Sequence, residues 1–244
     1  MGTDALGRTE RLELADQNLR DWEAVVLASS PDGIVLDRSA FYPGGGGQPA
    51  DEGTLLWQGV ETRIAGVRKG DDLYLIPAEG EPLPVPGTVV RAAVADERRS
   101  ALMRTHSALH VLCGVVFRDF GALVTGGNME PLVARMDFNL TEVPPGFKEA
   151  VEAACNAEVT ADRRIDVRVL PRAEAFAIPD IIRTATNLVP ESVQEVRIVD
   201  IVGLDCQADG GTHVASTKQI GRMRVAKIEN KGKGFRRLRI AVEE

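Results

Sequence analysis

The 244-residue sequence predicts an α+β protein in two parts, a small antiparallel β-barrel over residues 1–95 followed by an α+β metal-binding domain over residues 96–244. Three observations predict it. Residues 20–95 alternate short valine- and isoleucine-rich runs with glycine and proline turns, the pattern of short antiparallel strands. From Ser100 to Phe117 the apolar positions Ala101, Leu102, Ala108, Leu109, Leu112 and Val115 follow a helical spacing. Strand patterns then return at 193–202 and 220–242, on either side of a loop that carries two glycines and a histidine.

In chain order, Trp22–Ala28 and Ile34–Asp37 read as a β-hairpin turned by Ser-Pro-Asp-Gly. Phe41 to Gly53 holds four consecutive glycines, Gly44 to Gly47, between aromatics and prolines that stiffen both ends. Such a loop brings backbone N–H groups close to a ligand, but it lacks the lysine and serine or threonine of a nucleotide P-loop, so it reads as a contact loop. Short strands follow at 54–57, 62–67, 73–76 and 89–94. Asp96-Glu97 opens the helix of 100–117, where the helix dipole favours acidic groups. Thr125-Gly126-Gly127-Asn128 reads as a loop and 135–140 as a strand. Pro144-Pro145 precedes a helix from Phe147 to Glu158, Ile165–Leu170 is a strand, and Arg172–Ile178 a short helix stopped by Pro179. The last pair, Ile220–Asn230 and Phe235–Val242, is a hairpin turned by Lys231-Gly232-Lys233-Gly234.

Composition bounds the class. A chain 44% hydrophobic and 27% charged is an ordinary soluble globular protein with enough apolar residues for a core. It has no run of eighteen apolar residues and no hydrophobic signal core near Met1, which predicts a cytosolic protein with no membrane partner. Three cysteines, Cys113, Cys155 and Cys206, argue against a disulfide framework, and Cys113 reads as core packing. A net charge of −7, evenly spread, would argue against nucleic acid. It is not evenly spread, because between Lys218 and Arg239 the lysines and arginines oppose Glu229 alone, and that stretch suggests contact with phosphates, the alternative being a solvated strand face, which charge runs in general more often are.

The chemistry is concentrated in the histidines. The chain has three, His106, His110 and His213, and all fall in two short segments. His106 and His110 are four apart, so on a helix both imidazoles leave one face about a turn apart. Gly210-Gly211-Thr212 lets the backbone turn tightly just before His213. A histidine pair on an apolar helix is more often buried and hydrogen-bonded than metal-bound, but the convergence of all three reverses those odds. The fourth ligand is Asp209, four residues before His213, or Cys206, seven before it. A thiolate suits zinc better, whereas the carboxylate shortens the reach. A zinc peptidase is disfavoured, because Ser107 follows His106 where that motif needs a glutamate.

Assembled, these segments resemble the free-standing alanyl-tRNA editing proteins of the AlaX type, whose catalytic domain is similar to the editing domain of alanyl-tRNA synthetase. The resemblance covers most of the chain, and the motifs that carry it are Phe41 to Gly53, His106-Ser107-Ala108-Leu109-His110, Arg135 with Asp137-Phe138, Gly210-Gly211-Thr212-His213-Val214, and the basic run Ile228 to Arg239. The resemblance implies a second domain that is a zinc-binding editing domain, with His106, His110 and His213 as ligands. It also implies a cysteine immediately before the two glycines. Asp209 stands there instead, which leaves Cys206 and Asp209 as the candidates for the fourth ligand. The implied activity is that of an aminoacyl-tRNA deacylase acting in trans, removing serine or glycine from wrongly charged alanine tRNA, with Zn2+ as cofactor and tRNA as partner. Gly45, Gly46 and Gly47 would bind the terminal adenosine or the amino acid. Gln48, Thr105 and Thr212 are the candidate catalytic positions, and Gln48, Thr105 and Thr125 the candidates for reading a serine hydroxyl. Arg98, Arg99, Lys231, Lys233, Arg236 and Arg237 would hold tRNA phosphates. The competing expectations are editing of another mischarged tRNA and a tRNA-binding module whose zinc is structural.

Overall fold

The computed structural model describes residues 5–187 and 189–243 and divides the chain into two units, Met1–Gly45 with Pro49–Ser100, and Gly46–Gln48 with Ala101–Glu244. Residues 1–4, part of the N-terminal stretch read above, lie outside the described residues.

The first unit begins with two short strands, β1 (Ala5–Leu6) and β2 (Thr9–Arg11), and a one-turn helix, α1 (Leu12–Ala15). Then come β3 (Asp21–Ser30), β4 (Gly33–Leu36), β5 (Arg38–Ser39), β6 (Gly53–Trp57), β7 (Val60–Lys69), β8 (Leu73–Pro77) and β9 (Val89–Val94). Six of them close a barrel in the order β3-β4-β8-β7-β6-β9, while β5 pairs with β2 in a small separate sheet. Leu36, Leu55, Ile64, Leu73, Leu75 and Val90 fill the barrel, because alternate positions of each strand face inward. The turn between β3 and β4 is tighter than the predicted Ser29–Gly33, with Ser30 already paired to Gly33.

The glycine-rich segment leaves this unit through a pinned neck. The Tyr42 N–H donates to the Asp51 carboxylate at 2.6 Å and the Asp51 N–H donates to the Tyr42 carbonyl at 3.0 Å. Arg99 closes the neck and corrects the first expectation. Its side chain is fully buried, its Nε donates to the Asp51 carboxylate at 3.0 Å, and its terminal nitrogens donate to Ala40 O at 2.7 Å and Gln17 O at 2.8 Å. A guanidinium with its donors spent on buried acceptors cannot reach an RNA phosphate.

The long helix α2 (Asp96–Phe120) starts at the predicted acidic pair and runs past the predicted end at Phe117. The second unit continues with β10 (Val124–Glu130), β11 (Val133–Phe138), α3 (Phe147–Thr160), β12 (Ile165–Pro171), α4 (Arg172–Phe176), β13 (Glu195–Ile201), β14 (Asp205–Ala208), β15 (Met223–Asn230) and β16 (Arg236–Val242). Two antiparallel sheets result, β10-β11-β16-β15 and β12-β13-β14. Leu102, Leu109, Leu112 and Val116 of α2 share one core with Phe138, Phe147, Leu238 and Ile240. Thr125–Asn128 is not a loop but the body of β10, with Gly126, Gly127 and Asn128 paired to Asp137, Met136 and Arg135. Pairing with a neighbouring strand overrides the low β-propensity of two glycines. Ile220 lies in a 3-10 turn, Thr217–Ile220, so β15 starts later than predicted. Among the described residues no helix is long and apolar enough to cross a membrane.

Candidate metal centre

The second unit builds the site by itself. Helix α2 holds His106 and His110 one turn apart on its buried face, and the loop after β14 returns His213 to them, so that the ring centroids lie 4.4, 4.8 and 5.2 Å apart. The hydrogen bond from the Val214 N–H to the Ser107 Oγ, 3.1 Å, ties that loop to the helix. The Asp209 carboxylate faces all three, at 3.5 Å from His106 Nε2, 3.9 Å from His110 Nε2 and 3.7 Å from His213 Nε2. One donor atom from each of the four residues lies within 4.8 Å of every other.

Cys206, the other expected fourth ligand, stands outside this group, and the pleat of β14 gives the reason. Successive strand residues point to opposite faces. Cys206 and Ala208 pack with Ala175, Ile181, Val196 and Ile198, whereas Asp205 bonds His110 on the other face. Asp209 follows two residues beyond Gln207 in that same alternation. Burial also raises the pKa of the Cys206 thiol, which keeps it protonated.

A second layer fixes the imidazoles. Gln48 Oε1 lies 2.8 Å from His106 Nδ1 and Asp205 Oδ2 lies 3.2 Å from His110 Nδ1. An acceptor at Nδ1 places the ring proton there and leaves the Nε2 lone pair aimed into the cluster, the tautomer a metal requires. Gln48 is held in turn, with Nε2 donating to Thr212 Oγ1 at 2.9 Å and Oε1 accepting from the Thr212 N–H at 3.1 Å. Asp205 accepts from Gln207 Nε2 at 2.6 Å and from Arg183 Nε at 3.2 Å.

The charges suit a cation. Burial opposes a charge on His110, but the Asp205 hydrogen bond and the carboxylates of Asp209 and Asp205 outweigh it and raise its pKa. For Asp209 burial alone would raise the pKa, yet His106, His213 and His110 together hold it well below the usual carboxylate range. Burial, reinforced by His106 and His110, keeps His213 well below the ordinary imidazole value. A neutral imidazole and an ionised carboxylate are the forms in which these side chains bind a metal.

Two glycines make the approach possible. At Gly114 a Cβ would meet Leu204 Cγ at 2.9 Å and Asp205 Cβ at 3.0 Å, so its absence lets β14 lie against α2. At Gly211 a Cβ would collide with His106 Cε1 and Nδ1 and would lie 2.7 Å from Gln48 Oε1. Gly211→Ala is therefore expected to push His106 off its acceptor and lower zinc affinity roughly 10–100-fold, the usual effect of disturbing a group behind a metal ligand. A competition titration against a chelator measures it.

The cluster lies at the base of a cavity of about 400 Å³. Gly46, Gly47, Val124, Thr125, Met136, Thr184, Thr186 and Gln207 line it together with His106, His110 and Asp209. Segment 183–186 is laid along β10 by hydrogen bonds from the Val124 N–H to Arg183 O and from the Ala185 N–H to Val124 O.

The predicted site residues divide accordingly. Gly46 and Gly47 line the cavity, whereas Gly45 belongs to the first unit, where its carbonyl accepts from the Tyr42 hydroxyl. Gln48 and Thr212 are buried behind the imidazoles and hold them. Thr105 is a correction. It is fully buried, its hydroxyl proton is donated to Ala101 O and its oxygen accepts from the Leu132 N–H, and it is not among the residues that line the cavity. Arg236 spends its guanidinium on Phe235 O and Thr141 O, and Arg237 grips Asp137 through two 2.7 Å bonds. Arg98 pairs with Glu52 at 3.1 Å, while Lys231 and Lys233 are exposed. Sequence reasoning missed Asp205, Thr184 and Thr186. Asp205, Gln207 and Asp209 at alternate positions were a readable strand signal, but the irregular segment of the threonines gave none.

Comparison with known proteins identifies the family. Residues 196–239 match the family described as the threonyl and alanyl tRNA synthetase second additional domain, and residues 12–98 the class II (A) tRNA synthetases. The alanyl-tRNA editing protein AlaX-M of Saccharolobus solfataricus is 38% identical over 96% of this chain and 99% of its own length. That of Methanosarcina acetivorans is 34% identical over 94% of this chain and 97% of its own length. The alanine–tRNA ligase of Pyrobaculum neutrophilum is 35% identical over 92% of this chain, which spans 26% of the ligase. With identity at this level running from end to end of both partners, the chain belongs to the family of free-standing alanyl-tRNA editing proteins of the AlaX type.

Proposed function

We propose that the protein is a trans-editing hydrolase that removes serine or glycine from wrongly charged alanine tRNA, at a zinc ion held by His106, His110, His213 and Asp209. The observation that carries this reading is the convergence of three imidazole Nε2 atoms and one carboxylate at the base of a cavity large enough for an amino acid and the sugar that bears it. The donor set fits zinc, since nitrogen and carboxylate oxygen are its ordinary ligands. A purely structural zinc would be sealed on all sides, whereas here His106, His110 and Asp209 form part of the cavity wall. The names of the full-length relatives support alanine tRNA as the substrate carrier.

An aminoacyl ester is already activated, so the site needs a placed water and relief for the oxyanion that forms at the carbonyl. Zinc bound here supplies a Lewis acid and an orienting charge for that chemistry. Gln48 and Asp205 keep the Nδ1 protons of His106 and His110 in place, and Thr212 holds Gln48. Leu109, Val124 and Met136 give the cavity an apolar wall that limits water, and the peptides of Gly46 and Gly47 present backbone groups to the substrate. Water adds to the ester carbonyl, the bond to the ribose oxygen breaks, and free amino acid and a tRNA with its terminal hydroxyl restored are the products. Lys231 and Lys233 hold backbone phosphates outside the cavity.

Of the three residues expected to read the serine hydroxyl, Gln48 and Thr105 are spent on internal bonds, and Thr125 is left at the cavity wall. Thr125→Val, which keeps the shape and removes the hydroxyl, is expected to slow seryl-tRNA deacylation by about tenfold, the worth of one hydrogen bond. Glycyl-tRNA deacylation stays close to the parent rate, and equal losses on the two substrates would assign Thr125 another role.

The experiment that tests the function compares serine-charged and correctly charged alanine tRNA, with and without a zinc chelator. Hydrolysis of the serine ester alone, lost on chelation and restored by zinc, is the expected result. Hydrolysis of neither by zinc-loaded protein would move the activity to another mischarged tRNA or leave only a binding module.

A further inference from the structure

One face of the sheet β10-β11-β16-β15 is buried in the core, through Ala134, Met136, Phe138, Leu238 and Ile240. The opposite face carries an unusual row. Arg135 of β11 stands directly opposite Arg239 of β16, which stands directly opposite Lys227 of β15. Like charges facing one another across strands repel, with side chains only about 5 Å apart at their bases. The next row is Asp137, Arg237 and Glu229. Asp137 serves both Arg237, at 2.7 Å, and Arg135, at 3.6 Å, and Glu229 serves both Lys227, at 3.1 Å, and Arg239, at 3.2 Å. Four cations therefore share two carboxylates, and these two rows keep an excess of positive charge on a chain whose net charge is −7. In the row beyond, Glu130 stands on the β10 edge and Arg224 on the β15 edge, where Arg224 pairs with Glu243 at 3.3 Å.

The row is built by an irregularity. The register of β15 against β16 skips Ala226, so that Val225 faces Ile240 while Lys227 faces Arg239. In a regular strand Val225 and Lys227 would share the buried face. The bulge instead turns Lys227 outward beside Arg239, which is how bulges re-aim side chains. Small Ala226 lines a groove of about 310 Å³ together with Asn128, Arg135 and Arg239, and Glu130 is the one acidic residue in its wall. Asn128 is the β10 partner of Arg135, and its neighbour Gly127 lines the metal cavity. The edge of β10 thus has the groove on one side and the candidate active site on the other.

We propose that this row is a track for the RNA backbone: phosphates of the acceptor strand lie along Arg135, Arg239 and Lys227, and the 3′ end crosses the β10 edge at Gly127 and Asn128 into the cavity. The inference deepens the editing reading and rests on it for the identity of the RNA. A phosphodiester backbone is the occupant that charge complementarity selects, since it offers a line of single negative charges to a line of cations placed one strand apart.

The test uses full-length, zinc-loaded protein with alanine tRNA and with a seryl ester of adenosine, which is too small to touch the groove. Arg135→Ala with Arg239→Ala is expected to weaken tRNA binding by about tenfold or more and to lower the slope of log affinity against log salt by about 2, one for each phosphate that no longer meets a cation. Hydrolysis of the small ester stays at the parent rate. Arg135→Lys with Arg239→Lys keeps the charges and binds within about threefold of the parent, because holding a phosphate is chiefly a matter of charge. Arg164→Ala with Arg168→Ala removes two exposed cations of β12 and the residue before it, and costs little. Unchanged binding by the first variant, an equal loss by the β12 variant, or loss of the small-ester reaction in the first variant would each overturn the track. A parent that hydrolyses neither seryl substrate yet binds tRNA through Arg135 and Arg239 would remove the editing reading and leave the track standing.

Discussion

Replacing His213 with alanine is expected to abolish zinc retention and seryl-tRNA deacylation together. His213 is fully buried, its Nε2 lies 3.7 Å from Asp209, and its ring centroid is within 4.8 Å of both helical histidines. Without it the helix offers two imidazoles and the loop one carboxylate, a set that binds zinc far more weakly and with its geometry no longer fixed. The loss should exceed the roughly 10–100-fold that follows from disturbing a group behind a ligand. Zinc content after dialysis and the deacylation rate measure the two effects, and full activity in a variant that retains no zinc would end the metal reading. Cys206→Ser is the matched control. Because Cys206 packs on the opposite face of β14 from Asp205, it should retain both zinc and activity, and loss of zinc there would return the thiolate to the ligand set.

The histidine cluster was legible because its residues are scarce and periodic. Three histidines in two segments, two of them one helical turn apart, left few other arrangements, and the pleat of β14 places Asp209 rather than Cys206 beside the imidazoles. That strand was hidden: Asp205–Ala208 is short and half polar, and only its pairing with β13 makes it regular. The same cause explains β10, where Gly126 and Gly127 are extended by the partner strand against their own preference. The barrel strands and the closing hairpin were visible because alternation and turn residues are local signals. The fate of individual arginines was not. Charge patterning cannot distinguish Lys231, which is exposed, from Arg237, which is bound to a carboxylate a hundred residues away.

Arg99 is the strongest case of that kind, and its substitution separates a structural role from an RNA contact. Arg99→Ala is expected to destabilise the first unit by about 3–5 kcal/mol, the usual result of removing one partner of a fully buried ion pair. The Asp51 carboxylate, itself wholly buried, would keep the Tyr42 N–H but lose its charged partner, and the carbonyls of Ala40 and Gln17 would each lose a donor. The cost is dominated by these stranded groups, so removing both charges with Arg99→Met and Asp51→Leu should recover part of it. Denaturant unfolding measures the loss, and tRNA binding by the folded fraction decides its meaning. A buried strut predicts a lower midpoint with affinity and salt dependence unchanged. A residue that holds phosphate predicts the reverse, a stable protein whose salt slope has fallen by about one.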